Sequence, residues 1–174
     1  MLETEDFLNV INLTPLVAID LIVSSADNSI LMGKRVNEPA AGYWFVPGGR
    51  IFKGETLEQA FQRITSTELG LAINIENAQL LGAFTHIYDT NFARAPGIGT
   101  HYVVLAYRLA MTIDPHYLPN LQHQDYCLFS QNQDLSAVHP NSQAYFSCLL
   151  RYANDNNNPE SQSNALAQTT VQGE

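Results

Sequence analysis

GRIFKGETLEQAFQRITSTELGL, residues 49–71, is the stretch that decides the fold. Thr56 followed by Gln59 has the spacing of a capping box, in which each side chain bonds the other residue's backbone N–H, and Gly70 supplies a stop. The spacing predicts a helix over 57–69. At roughly 100° per residue, Leu57, Ala60, Phe61 and Ile64 share one stripe, while Glu58, Gln59, Gln62, Arg63 and Ser66 spread over the other side. One turn past Ile64 on the apolar stripe stands Glu68. A carboxylate aimed at the protein is costly unless a cation or several donors meet it. On the wheel alone two readings stand equal: a metal ligand, or a helix-end acid that bends to solvent or pairs with an arginine. The preceding Pro47-Gly48-Gly49 favours the first, because backbone without Cβ can approach a ligand closely. A loop carbonyl with a helix carboxylate forms the hard oxygen set that magnesium prefers.

Outward from this helix, residues 16–23, 30–32, 43–46, 80–87, 102–110 and 126–129 read as strands. Pro47-Gly48-Gly49 reads as the stop of the third. Phe7, Leu8 and Ile11 fall at helical spacing in a short opening helix, and a second helix is expected over about 142–152. That order is mixed α+β rather than a repeated βαβ. From residue 153 the chain turns polar and has little to bury, so 1–152 is expected to be the folded domain and 153–174 a disordered tail.

The chain has 174 residues, 45% of them hydrophobic, enough for one core. Its formal charge of -9, with Lys+Arg 8 against Asp+Glu 17, excludes nucleic acid as the expected partner. A small phosphorylated substrate stays compatible if a metal and local arginines offset the repulsion. Cys127 and Cys148 lack metal-ligand spacing and read as buried free thiols. Residues 1–6 are acidic with no signal-type apolar segment after them, and no run reaches membrane-spanning length. The expectation is a cytoplasmic protein with no membrane partner.

Gly49-x5-Glu55-x7-Arg63, then Glu68-Leu69-Gly70-Leu71, resembles the Nudix box, in which two further glutamates stand where this chain has Ile64 and Thr67. GDP-mannose mannosyl hydrolases form a Nudix branch whose box has lost those two acids. The resemblance to them extends over residues 3–152: Thr14-Pro15-Leu16-Val17 with Asp20, Gly33-Lys34-Arg35, Gly42 through Arg50, His86-Ile87-Tyr88-Asp89, Thr100 through Leu105, and Gln122-His123 before Asp125-Tyr126. It implies an α/β/α sandwich with a mixed β-sheet between helices. The implied reaction is hydrolysis of GDP-mannose, with GDP-glucose as a second substrate, to GDP and free sugar. Water attacks the anomeric carbon with inversion. One Mg2+ per active site, with Mn2+ as a substitute, is implied to be held by Gly48, Glu68 and Gln122. The implied base is His123, which taken alone would read as a surface histidine.

Asp20 is a lone acid in an apolar strand and needs a partner, structural or functional; the family match assigns it to orienting the sugar. Arg35 and Arg50 are planar double donors suited to phosphate oxygens, and the shortage of basic residues favours that use over surface ion pairs. His123, Asp20, Arg35 and Arg50 thus form the expected catalytic set. Arg35 and Arg50 are expected to bind substrate, and the resemblance implies that His86 and Tyr102 line the sugar or diphosphate pocket with them. Phe7 and Leu8 are implied to meet the guanine across a homodimer interface. Arg63 has two readings, holding Glu55 or Glu68 in place or contacting substrate directly, the first at least as favoured as the second. Two other readings compete: a conventional Nudix pyrophosphohydrolase acting at phosphorus, and a non-catalytic nucleotide-sugar sensor.

Overall fold

From Ala18 onward every residue of β1 (Leu16–Ser24) is buried, as in a strand covered on both faces. The computed structural model describes residues 3–119 and 123–157, with the side chains of 123, 124 and 152–157 outside the description. Gln122 and residues 158–174 therefore lie outside the described residues.

The chain runs α1 (Thr4–Leu13), β1, β2 (Ile30–Arg35), β3 (Trp44–Phe45), β4 (Gly48–Arg50), α2 (Leu57–Leu69), β5 (Gln79–Tyr88), β6 (Thr100–Ala110), β7 (His123–Phe129) and α3 (Pro140–Asn157). Seven strands form one sheet in the order β3-β2-β1-β6-β5, with β4 also paired to β1 and β7 to β2. The long β1–β6 ladder is parallel and the other pairings are antiparallel, so the sheet is mixed.

Alternation along β1 divides the core. Ile19, Leu21 and Val23 face α2, where Ala60, Phe61, Ile64 and Leu69 complete one buried cluster. Ile22 points the other way, into a cluster with Ile30, Met32, Phe45 and, from α3, Tyr145, Phe146 and Leu149. Helices on both faces of a mixed sheet make the expected α/β/α sandwich. On α2 both halves of the capping box form, Gly70 ends the helix at φ 72°, and Glu68 is 3% exposed on the buried face.

The structure corrects four details. Gly48–Arg50 is a strand, not a stop: three residues are too few for a hydrophobic period, but they pair with β1 at Asp20, Ile19 and Ala18. Leu57 is exposed, because the first residue of α2 sits beyond the edge of the core. Helix α3 begins at Pro140, a residue suited to a first helical turn, and continues to Asn157. Cys127 is exposed and Cys148 half-buried, so both are free thiols and neither is fully buried. Among the described residues no helix is long and apolar enough to cross a membrane.

Candidate functional site

Strand register gathers the site on the α3 face of the sheet. Arg50 pairs with Ala18, which pairs with Val104; Gly48 pairs with Asp20, which pairs with Ala106; His86 pairs with Tyr102. Small side chains in the middle of these rows leave a hollow of about 170 Å³. Asp20, Arg35, Gly48, Arg50, His86 and Tyr102 all line it, together with Phe45 and Tyr88. Six residues singled out from the sequence thus meet in one cleft.

The two glycines at its rim serve opposite faces. A Cβ on Gly48 would lie 2.5 Å from the Ile19 carbonyl oxygen and 2.8 Å from Asp20 Oδ1. A Cβ on Gly49 would meet Ile64 Cγ1 at 3.3 Å on the α2 side. Backbone cannot yield as a side-chain tip can. Gly48→Ala is therefore expected to cost about 1–3 kcal/mol, each kcal/mol lowering the thermal midpoint by roughly 2–4 °C. Gly49→Ala should cost less, because Ile64 can shift. Calorimetric melting of both variants checks the order.

The Gly48 carbonyl is not taken up by the β1–β4 ladder. Leu21 N–H donates to Pro47 O at 2.8 Å and Ile51 N–H to Val17 O at 2.9 Å. Antiparallel alternation then turns the Gly48 carbonyl away from β1. Among the described residues β4 pairs with no other strand, so that oxygen faces an open edge. Glu68 does not line the cleft; it lies on the buried face of α2, and its charge, after burial, pushes the Tyr126 phenol upward. Pro119 and Tyr126, which flank 120–122, lie close to Gly70 and Glu68 respectively. A carbonyl and a carboxylate are hard oxygen donors, which fits magnesium in kind. Among the described residues no three His, Cys, Asp or Glu side chains cluster as a metal site.

Asp20 owes its state mainly to burial, which raises its carboxyl to about 7 against the lowering effects of a hydrogen bond from Tyr145 and the charge of Arg35. Burial and then the nearby His139 depress His86 to about 4, so its imidazole is neutral. Arg50 lies 4.0 Å from the Phe7 ring and 5.6 Å from the Phe52 ring, and Arg35 lies 5.6 Å from the Phe45 ring. Neither arginine has a carboxylate ion-pair partner among the described residues. Phe7 is half-buried and also touches Phe92, with ring centroids 5.0 Å apart; Leu8 is half-buried on α1 and does not line the cleft. His123 opens β7 with its backbone in register with Arg35.

Arg63 holds the loop before α2 in shape. Its guanidinium donates to both Glu55 oxygens and, at 2.8 Å, to the Arg50 carbonyl, while Glu55 Oε2 accepts the Phe52 N–H at 2.8 Å. Of the two acids expected for Arg63, it holds Glu55. The Arg63 hydrogen bond lowers the Glu55 carboxyl from 4.5 to about 2. A depressed carboxylate stabilises fully above its unfolded value and loses that contribution as pH falls through its folded one. The pair is partly exposed, so its contribution is about 1 kcal/mol or less. Glu55→Gln should accordingly lower the melting temperature at pH 7, with the difference from wild type closing as pH approaches 2; equal gaps at both pH values would contradict this.

The sequence reading did not single out α3 as part of the site. Tyr145 donates to Asp20 Oδ2 at 2.7 Å, Asn141 donates to the Tyr88 hydroxyl at 3.2 Å, and Ser142 Oγ accepts the Val46 N–H at 3.2 Å. Tyr88 was accessible to reasoning, since it stands two residues beyond His86 on the same strand face.

A profile of the NUDIX domain matches residues 14–150. The chain is 38% identical over 136 residues to the low-salt glycan biosynthesis protein Agl8 of Haloferax volcanii, covering 78% of this chain and 82% of that one. It is 41% identical over 73 residues to an ADP-ribose pyrophosphatase of Methanocaldococcus jannaschii, covering 42% of this chain and 41% of that relative. The solved MutT NUDIX hydrolase of Burkholderia pseudomallei shares the fold, with a TM-score of 0.60 at 24% identity over 77% of this chain and 97% of that one. The profile spans β1 to α3 and takes in both the cleft and the 49–71 box, so the chain belongs to the Nudix hydrolase family.

Proposed function

We propose that this Nudix hydrolase cleaves GDP-mannose, with GDP-glucose as a second substrate, to GDP and free sugar by water attack at the anomeric carbon with inversion. One observation carries the reading. Of the three box positions that would hold a carboxylate cluster on α2, Ile64 is 1% exposed in the core, Thr67 faces solvent, and Glu68 alone presents an acid on the buried face. A helix with one inward carboxylate suits help to a departing diphosphate better than a multi-metal site activating water at phosphorus.

In this reading Arg35 and Arg50, which have no carboxylate ion pair among the described residues, hold the diphosphate oxygens. Asp20, His86 and Tyr102 orient the sugar across the floor of the cleft. Phe7 and Leu8 would meet the guanine across a homodimer interface, and His123 takes the proton of the attacking water. Gly48, Glu68 and Gln122 would hold Mg2+ or Mn2+, which supplies charge neutralisation to the leaving GDP. The glycan-biosynthesis name of the Haloferax volcanii relative supports a sugar-linked substrate.

A second reading, pyrophosphate cleavage at phosphorus, draws on the ADP-ribose pyrophosphatase relative. Reaction with a panel of GDP-, UDP- and ADP-sugars and magnesium in ¹⁸O-labelled water separates them. The expected result is label in the free sugar and none in phosphate. Label in phosphate would establish the second reading. Binding of GDP-mannose without turnover would make the protein a sensor.

A further inference from the structure

Two polar atoms on the cleft floor lack a protein partner among the described residues. Asp20 is 6% exposed and His86 4%, yet among the described residues no hydrogen bond reaches Asp20 Oδ1 or His86 Nδ1. Buried polar atoms in native proteins are almost always satisfied, so these two are open to donors from a bound ligand or from water. The other atom of each side chain meets Tyr145. Its hydroxyl donates to Asp20 Oδ2 at 2.7 Å and lies 3.4 Å from His86 Nε2. Tyr145 is fully buried, with the Phe84 ring set edge-on 5.0 Å away.

A phenol carries one hydrogen. With that hydrogen committed to Asp20, Tyr145 has only lone pairs for His86. The imidazole must therefore meet it as an Nε2–H donor, which leaves Nδ1 as the unprotonated nitrogen. Donation thus runs in one direction, from His86 through Tyr145 to Asp20.

We infer that Tyr145 is a positioning residue for the sugar end of the cleft: it fixes the His86 tautomer and the Asp20 rotamer so that Nδ1 and Oδ1 act as paired acceptors for two substrate hydroxyls. With Asp20 ionised, the pair offers only acceptors, which phosphate oxygens cannot satisfy and sugar hydroxyls can. The identity of the ligand rests on the nucleotide-sugar reading; the tautomer rests on the distances alone.

Two measurements test the inference. Nitrogen-15 spectra of the wild-type protein, with the His86 signal assigned by comparison with His86→Gln, should report the Nε2–H form. Tyr145→Phe should release the ring to a mixture of tautomers. With GDP-mannose, the same variant should lose kcat on the order of tenfold to a hundredfold, the penalty for unpairing buried acceptors. Its KM should change little, and GDP, which lacks the sugar, should bind as to wild type. An Nδ1–H tautomer in the wild type overturns the inference even if Tyr145→Phe fails to fold. Unchanged kcat in a folded Tyr145→Phe also overturns it. A wild-type protein that shows the Nε2–H form but releases no sugar from GDP-mannose refutes the substrate reading and leaves the positioning role standing.

Discussion

His123→Ala is expected to reduce GDP-mannose turnover by about 10²–10⁴-fold, the range a positioned general base supplies. An unperturbed imidazole titrates near neutrality and can take a proton from water without a metal-bound hydroxide. His123 begins β7 in backbone register with Arg35, whose side chain lines the cleft, so the expected base stands on the strand beside an expected phosphate donor. If attack occurs at the anomeric carbon, the base acts near the sugar and the arginines act on the diphosphate, and the two functions separate. Titration calorimetry should then find GDP and magnesium bound by His123→Ala about as tightly as by wild type. Steady-state assays should find the loss in kcat. Full turnover by the variant would remove His123 from the chemistry.

What the sequence made legible follows a physical line. The α2 helix was readable because its cap, stripe and stop are local, and Glu68 was conspicuous because a carboxylate on an apolar stripe breaks the pattern. Asp20 was conspicuous in β1 for the same reason, and Tyr145 is the partner it required. Tyr145 itself was hidden. It packs as an ordinary core residue of α3, and only the tip of its side chain is polar. The β4 strand was hidden too, since its evidence lies in pairing with β1 and not in its own three residues. Nor could the sequence tell that Glu68 and Asp20 lie on opposite sides of the sheet. Alternation along β1 turns Asp20 to α3, while α2 holds Glu68 on the other face, and β4 with its outward Gly48 carbonyl lies between them.

The changed box makes the other large prediction. Glu68→Gln keeps the shape of the side chain and removes the one charge that α2 turns inward. Metal assistance supplies several kcal/mol of charge stabilisation, and each tenfold in rate is about 1.4 kcal/mol, so turnover at fixed magnesium should fall by about 10²–10⁴-fold. Its magnesium requirement should rise, as measured by activity against metal concentration; unchanged activity and metal dependence would exclude Glu68 as a ligand. Restoring the missing acids should not convert the enzyme. Ile64 packs under Gly49 within the α2 core, so Ile64→Glu buries a carboxylate where an apolar side chain stood and should lower the thermal midpoint by roughly 10 °C. Thr67→Glu changes an exposed position and should alter stability by about 0.5 kcal/mol or less, with no gain in activity. The decisive variant carries both changes. If it folds and ¹⁸O still enters only the sugar, the choice of carbon over phosphorus resides in the cleft around Asp20, His86 and the two arginines. Label moving into phosphate would instead show that the helix alone selects which bond is broken.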